Sequence, residues 1–599
     1  MTRRSKKRRK KWEWLNKRYI INNFSVTTVR KRLFSLICGI TFIFLLILGR
    51  MFYVNVVWGR ELRVKAIDQW TRELPVTALR GQIVDANGTV IAGNKTTYAV
   101  YVRTRCVKNP EKTASVLSGL FSVDESKLLE KIKTQSSSEI TVKRQVGKDE
   151  VLKLEEYELD GVYYSIDNGR VYHFGSSLCQ TVGYTSVDGR GICGLEAYYD
   201  KFLKGENGEI IFEADLVGAD VEGSTPHYKP ARNGLSIKLS VDMEIQLICE
   251  SALEKAAAQY TPKSCSIIVM NPKNGRIVAM ANNPSFDLNS PPREDIKLLN
   301  ALSRNTLVVD SYEPGSTFKI VTALADIEET LKGNERALSL THVFNSSNYR
   351  IVDGRKIKCW TTHAGGKHAN ETLSEALNNS CNPCFVDIAL SLGKEKMYEY
   401  VSGLNFGSAT GIDFMGEATG MVLPVGSVRD GDIARISFGQ TIAVTPLQLA
   451  AAACACVNGG NYYTPQLVTE IYDESTKIAE IIEPDLKNKV ASEEASKILA
   501  RYLERVVSEG SGKNAYVEGY RVGGKTGTAQ KFENGSIARG KYVMSFMGFF
   551  PANDPEYLAL AIVDEPVGGN YGSTVAAPIV KEVFEKIINC KNISVVESA

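Results

Sequence analysis

Residues Leu33 to Leu48 read LFSLICGITFIFLLIL, an apolar run without a single charge, and after Gly49-Arg50 the apolar character resumes through Met51, Phe52, Tyr53 and Val54. About 20 such residues match the hydrocarbon core of a bilayer at 1.5 Å rise per residue. The run is therefore expected to be a transmembrane helix over 33–54, with Arg50 snorkelling toward the interface. Residues 1–32 carry 13 Lys/Arg against one acidic residue, so the chain's net +4 conceals a mildly acidic bulk of −8 over residues 33–599. Basic charge just before a single span places a cytoplasmic tail at 1–32 and everything beyond the span outside the membrane. A cleaved signal peptide fits less well, because the run is too long and no small-x-small site follows it. The span also argues against a nucleic-acid arm, so no nucleic-acid partner is expected.

At 599 residues the chain calls for more than one domain. Residues 55–79 read as a charged amphipathic continuation of the span. RGQIVDANGTVIAGN (Arg80 to Asn94) predicts two strands around Asn87-Gly88, and GRGICGLEAYYDKFLKGENG predicts a glycine-rich turn leading into an amphipathic helix. The polar, glycine-punctuated stretch Gly218 to Gly234 is the expected boundary between a non-catalytic module, 55–230, and a second domain, 235–590. In the latter, Asp242 is placed to cap a helix running to about Tyr260. Asn274-Gly275 marks a hairpin, and three strand-like runs near the end precede a closing helix over roughly 573–588. A hairpin first, a long helical middle and a meander last describe an antiparallel sheet completed by both ends of one domain around a helical insert, an α+β fold.

Three short motifs lie in order within that domain. Ser316-Thr317-Phe318-Lys319 follows Pro314-Gly315, which puts Ser316 at or near a helix start with Lys319 on the same face. A serine hydroxyl is a weak nucleophile without an adjacent base, and a lysine can be that base when burial and a second cation lower its pKa. Ser380-Cys381-Asn382 is the second motif. Lys525-Thr526-Gly527-Thr528 is the third, in a strand-like run where Gly527 leaves room for a peptide to pair with the edge and Lys525 offers a charge for a substrate carboxylate. Each motif alone is commonplace; their order within one sheet-framed domain carries the weight. Gly519 to Thr526 also matches the phosphate-binding pattern G-x-x-x-x-G-K-T, but no buried strand precedes it and no helix is predicted after it.

With these motifs the sequence resembles the serine penicillin-recognising enzymes, and among them class B penicillin-binding proteins of the septal-division and spore-cortex type. RGQIVDANGTVIA, GICGLEAYYDKFLKG, YEPGSTFK, ALNNSCN, FGQTIAVTPLQLA and GGKTGTAQ carry the likeness. It implies a pedestal or dimerisation-type module over 55–230 and a transpeptidase domain that cross-links peptidoglycan stem peptides and is acylated by β-lactams. Ser316 would be the nucleophile and Lys319 its base. Ser380 and Asn382 would relay protons and hold substrate, and Lys525 would bind the carboxylate. Thr526, Gly527 and Thr528 would line the edge strand, with the Ser316 and Thr528 N–H groups as oxyanion donors. No cofactor is implied. The expected partners are stem peptides, β-lactams, the cytoplasmic membrane and a glycan-polymerising membrane protein, since no glycosyltransferase region is visible. A D,D-carboxypeptidase shares the acylation step, and a non-catalytic sensor or divisome scaffold would share the architecture. A β-lactamase would need a deacylating carboxylate, for which Glu417 in GEATG is the nearest candidate and lacks the expected E-x-x-L-N setting.

Twelve cysteines are too few for a disulfide scaffold, and the five histidines are scattered without an HExxH or paired CxxC pattern, so no metal site is expected. Cys381 at the centre of the second motif and Cys359 in KIKCWTTHAGGKH form a candidate redox pair, because disulfides persist outside the membrane.

Overall fold

The structure, a computed structural model, describes residues 26–59, 62, 71–135, 139–213, 227–363, 368–533, 536–569 and 571–594. The expected tail up to residue 25, most of the amphipathic continuation after the span, Gly218 to Pro226 of the expected boundary, and the Asn534-Gly535 turn lie outside these residues. Two compact units emerge: residues 1–76 with 208–230, and residues 77–207 with 231–599. The first contains one helix, Val26–Val56, long and apolar enough to cross a membrane. It also contains a small antiparallel sheet in which Gly208–Glu213 pairs with Thr71–Val76 and with His227–Lys229.

The second unit is built on a five-stranded antiparallel sheet in the order 277–283, 264–270, 557–564, 536–550, 523–533. Its first two strands form the expected hairpin, and Gly275 takes the positive φ of +73° that the turn between them requires. Among the described residues, strand Gly523–Glu533 has a partner on one side only, Ser536–Phe550. On one face pack helix Met243–Tyr260, capped by the Asp242 carboxylate as its sequence predicts, and the closing helix Gly572–Cys590. Leu253, Phe546, Phe550, Val580 and Phe584 fill the space between them. The other face meets the helical insert, whose buried helices Lys319–Leu331, Asn382–Leu392 and Pro446–Val457 carry the second motif's asparagine and the first motif's lysine.

Residues 77–207 share a sheet with the domain that follows them. Ile83–Val84 runs parallel to Ser236–Leu239, which in turn pairs with Val468–Tyr472. A continuous seven-stranded sheet thus crosses the boundary expected near residues 230–235. The amphipathic helix expected after Gly194 is instead two short turns, Gly194–Tyr198 and Asp200–Leu203. Glu196, which an amphipathic reading leaves facing solvent, is fully buried and pairs with Arg80 Nε at 2.6 Å and Arg170 Nε at 2.7 Å; Arg80 also reaches Asp200 at 2.7 Å. Two buried guanidinium groups around one carboxylate satisfy charges that neither segment could bury alone. From the same segment the Tyr199 hydroxyl donates to Asp413 at 2.9 Å, tying it to the helical insert.

Candidate active site

The first motif is held by glycine. Gly315 adopts φ +57°, donates its N–H to the Gly439 carbonyl at 3.0 Å, and lies so close to the edge strand that a Cβ would stand 3.1 Å from the Thr528 carbonyl oxygen. Gly439 is equally constrained, since its own Cβ would fall 2.2 Å from the Gly315 oxygen. This contact is the work of the FGQT segment: Thr441 N–H also donates to the Glu313 carboxylate at 2.9 Å. Ser316 therefore sits on a 3-10 turn, Gly315–Phe318, and the α-helix proper begins at Lys319. The expected helix start thus lies three residues later, and the tighter turn serves the same end, because residues i and i+3 eclipse on a 3-10 helix.

Lys319 is completely buried. Its Nζ donates to the Ser380 carbonyl at 2.7 Å, the Ser380 Oγ at 3.1 Å and the Asn382 Oδ1 at 2.8 Å. Ser380 reaches this position from a left-handed backbone, φ +54°, between helices Leu373–Asn378 and Asn382–Leu392. From the opposite side Lys525, also fully buried, donates to the same Ser380 Oγ at 3.0 Å. One hydroxyl thus bridges two lysines. Burial pushes Lys319 down to about 8. Lys525 is driven well below its ordinary value, first by burial and then by the charge of Lys319. These two depressed amines joined through a hydroxyl can accept, pass and return a proton near neutral pH.

On the edge strand the Thr526 hydroxyl lies 3.4 Å from Lys525 Nζ and 3.5 Å from the Ser511 Oγ. The Thr528 Oγ1 accepts from the Gly572 N–H at 3.1 Å, which fastens the closing helix to the strand. Gly527 has a different reason for being glycine than its sequence suggests. A Cβ there would come within 2.3 Å of Ser545 Oγ and 3.0 Å of Thr317 Cγ2, so the missing side chain admits the nucleophile turn and the neighbouring strand. Gly519 to Thr526 form no phosphate-binding loop, since Lys525 and Thr526 lie within strand Gly523–Glu533. Glu417 is taken up by the Thr410 and Gly411 backbone amides and the Thr410 hydroxyl.

The sequence reading overlooks the rim. Trp360 is 56% exposed, donates Nε1–H to the Asn379 carbonyl at 3.0 Å, and its ring centroid lies 6.1 Å from that of Tyr571, which is 52% exposed. It also separates residues the fold brings together. Cys359 and Cys381 are neighbours, as the redox pairing requires, and both are free thiols. His363 and His368, read as scattered loop surface, converge on them: one nitrogen or sulfur from each of the four lies within 4.8 Å of the others. The C-x3-H-x4-H spacing from Cys359 to His368 was the available signal.

The family description of the penicillin-binding protein transpeptidase domain matches residues 265–585, and that of the penicillin-binding protein dimerisation domain matches residues 75–239. The chain belongs to the class B penicillin-binding proteins. Among its relatives, stage V sporulation protein D of Bacillus subtilis is 42% identical over 94% of this chain and 86% of that protein. The peptidoglycan D,D-transpeptidase FtsI of Escherichia coli is 27% identical over 94% and 92%. In fold it is similar to penicillin-binding protein 2X of Streptococcus thermophilus, with 23% identity, a TM-score of 0.70 and coverage of 86% and 80%. A peptidoglycan synthetase of Bifidobacterium adolescentis gives 22% identity, also with a TM-score of 0.70, over 88% and 98%. In this chain the three motifs lie where the edge strand meets the helical insert.

Proposed function

We propose that the protein is a serine D,D-transpeptidase that cross-links peptidoglycan stem peptides outside the cytoplasmic membrane. The observation that carries this reading is the Ser380 hydroxyl shared by Lys525 and by Lys319, which follows Ser316 by one turn. In the first step neutral Lys319 takes the Ser316 proton as Oγ attacks the penultimate D-Ala carbonyl, with the Ser316 and Thr528 N–H groups supporting the oxyanion. The proton passes through Ser380 to the nitrogen of the departing D-Ala, leaving an ester on Ser316. An amine of a second stem peptide then attacks the ester, gives up its proton to the same relay, and frees Ser316.

Lys525 binds the terminal carboxylate. That anion restores the charge on Lys525, and the restored charge in turn holds Lys319 in its neutral, basic form. Substrate binding thereby prepares its own base. The basic tail, in this reading, stays in the cytoplasm and the span Val26–Val56 anchors the catalytic unit outside, beside a glycan-polymerising membrane protein. The 42% relative is named for stage V of sporulation, whereas the FtsI relative is 27% identical, which favours spore-wall over septal synthesis.

The test is to supply the purified chain with nascent glycan strands bearing pentapeptides and to separate the products by liquid chromatography with mass spectrometry. Cross-linked dimers with release of one D-Ala per bond are expected. Uncross-linked tetrapeptides alone would make the protein a carboxypeptidase, and unchanged pentapeptides would leave the scaffold reading.

A further inference from the structure

At the second motif gathers a group of side chains that the acyl-transfer chemistry does not use. Hairpin 349–358 is followed by a segment that brings Cys359 and His363 against Cys381, and His368 closes the group from a left-handed backbone, φ +58°. Cys381 Sγ lies 3.7 Å from His363 Nε2, and Cys359 Sγ lies 3.8 Å from His368 Nδ1. A tetrahedral zinc ion with Zn–S of about 2.3 Å and Zn–N of about 2.05 Å sets sulfur and nitrogen about 3.6 Å apart. The observed edges therefore approach those of an assembled site.

The orientation of the rings agrees. His363 Nδ1 lies 2.7 Å from the Ser346 carbonyl oxygen, which can only accept. The proton is thus on Nδ1, and the Nε2 lone pair faces the sulfur, the arrangement by which an outer hydrogen bond fixes a metal-binding imidazole. Glu371 stands in the next ring: its Oε1 accepts from Asn379 at 2.6 Å and lies 3.8 Å from His368 Nδ1, while Cys384 Sγ is 3.6 Å from its Oε2. His368 and Cys381 are buried, and Cys359 is partly so. Two thiols and two imidazoles gathered at one point make poor hydrophobic packing and weak hydrogen bonds. They are the ligand set that zinc prefers over magnesium or calcium.

We propose that Cys359, His363, His368 and Cys381 bind one zinc ion, which fixes the Ser380–Cys381–Asn382 motif in place for Lys319 and Lys525. Binding converts two thiols to thiolates and releases two protons to solvent, so the site gains no net charge. All four coordination positions are filled by protein, which makes the ion a structural clamp with no open position for substrate. Cys381 lies between the two residues that receive Lys319 Nζ, so restraining its sulfur restrains both acceptors. The four residues are positioning groups. The consequence for acylation rests on the transpeptidase reading, whereas the binding of metal does not.

The full chain in detergent, purified and dialysed, is analysed for metal by inductively coupled plasma mass spectrometry; one zinc per chain is expected. After chelation, added cobalt(II) should give thiolate-to-metal charge-transfer bands and the visible bands of a tetrahedral ion, and equimolar zinc should displace them. Cys359→Ser and His363→Gln should lose both signals, and Cys106→Ser, at an exposed site, should keep them. The cobalt spectrum of the unmutated chain stands even where a variant fails to fold. Removing zinc should slow labelling by fluorescent penicillin by about tenfold or more, with recovery on zinc addition. A chain that takes up neither metal, or one isolated metal-free with Cys359 and Cys381 joined as a disulfide, would overturn the site. Equal labelling rates with and without zinc would overturn the clamp. Absence of labelling in the zinc-loaded chain would instead count against the transpeptidase reading.

Discussion

The depressed lysine makes the pH dependence of acylation the most quantitative consequence of the geometry. With Lys319 lowered to about 8 by burial, roughly one molecule in ten has a neutral base at pH 7 and about one in a hundred at pH 6. An ordinary lysine at about 10.4 would leave only about one in 2,500 neutral at pH 7. The second-order rate of acylation by a fluorescent penicillin should therefore rise about tenfold from pH 6 to pH 7, bend near pH 8 and level off above it. Lys525→Ala supplies the internal check. It removes the second amine on the Ser380 hydroxyl. Because burial lowers Lys319 in the free enzyme, the bend should stay near pH 8, while binding of the penicillin carboxylate should weaken. Stopped-flow fluorescence between pH 5.5 and 9.5 reads both effects. A rate that is flat across this range, or that still climbs steeply at its upper end, would refute the assignment of Lys319 as a burial-tuned base.

Other substitutions probe the supports of the site. Gly527→Ala would force a methyl against Ser545 Oγ and Thr317 Cγ2; overpacking of this kind costs about 1–3 kcal/mol, so the melting temperature should fall and penicillin labelling should slow together. Asn382→Ala removes one acceptor of Lys319 Nζ and should slow acylation while moving the thermal midpoint little; a proportionate loss of stability would contradict a role in the relay. Glu196→Gln strips the charge shared by Arg80 and Arg170, and breaking a buried ion cluster costs about 3–5 kcal/mol. That variant should melt earlier yet keep its acylation rate at low temperature. The sheet shared by Ile83–Val84 and Ser236–Leu239 implies that a chain beginning near Asn233 loses stability, measurable as a lower melting temperature than a chain beginning near Thr77.

Much of the catalytic unit was legible because its signals are local. Asp242 caps the helix its position predicts, Asn274-Gly275 turns the hairpin, and the closing run forms the last helix, Gly572–Cys590. The three motifs could be ordered along the chain, but their meeting point depends on pairings no window contains. Ile83 lies beside Ile237 across 154 positions, and a two-residue strand leaves almost no periodicity to read. The burial of Glu196 was not legible, because a carboxylate reads as solvent-facing until its two arginine partners, distant in sequence, are known. The Cys–His group escaped for a related reason: His363 and His368 each lie outside any helix or strand, and their fourth companion, Cys381, caps a separate helix. Gly527 shows the converse, a residue recognised correctly as special whose reason, the approach of Ser545 and Thr317, appears only in three dimensions.

The central claim is that Ser316 becomes acylated, and the most direct measurement is to find the modified residue. The purified chain is reacted with fluorescent penicillin, digested, and the labelled peptide sequenced by tandem mass spectrometry, alongside a Ser316→Ala chain whose melting temperature is recorded. The account predicts one penicilloyl adduct, on Ser316, and no adduct on a folded Ser316→Ala protein. An adduct on another residue, or undiminished labelling of the folded variant, would contradict it.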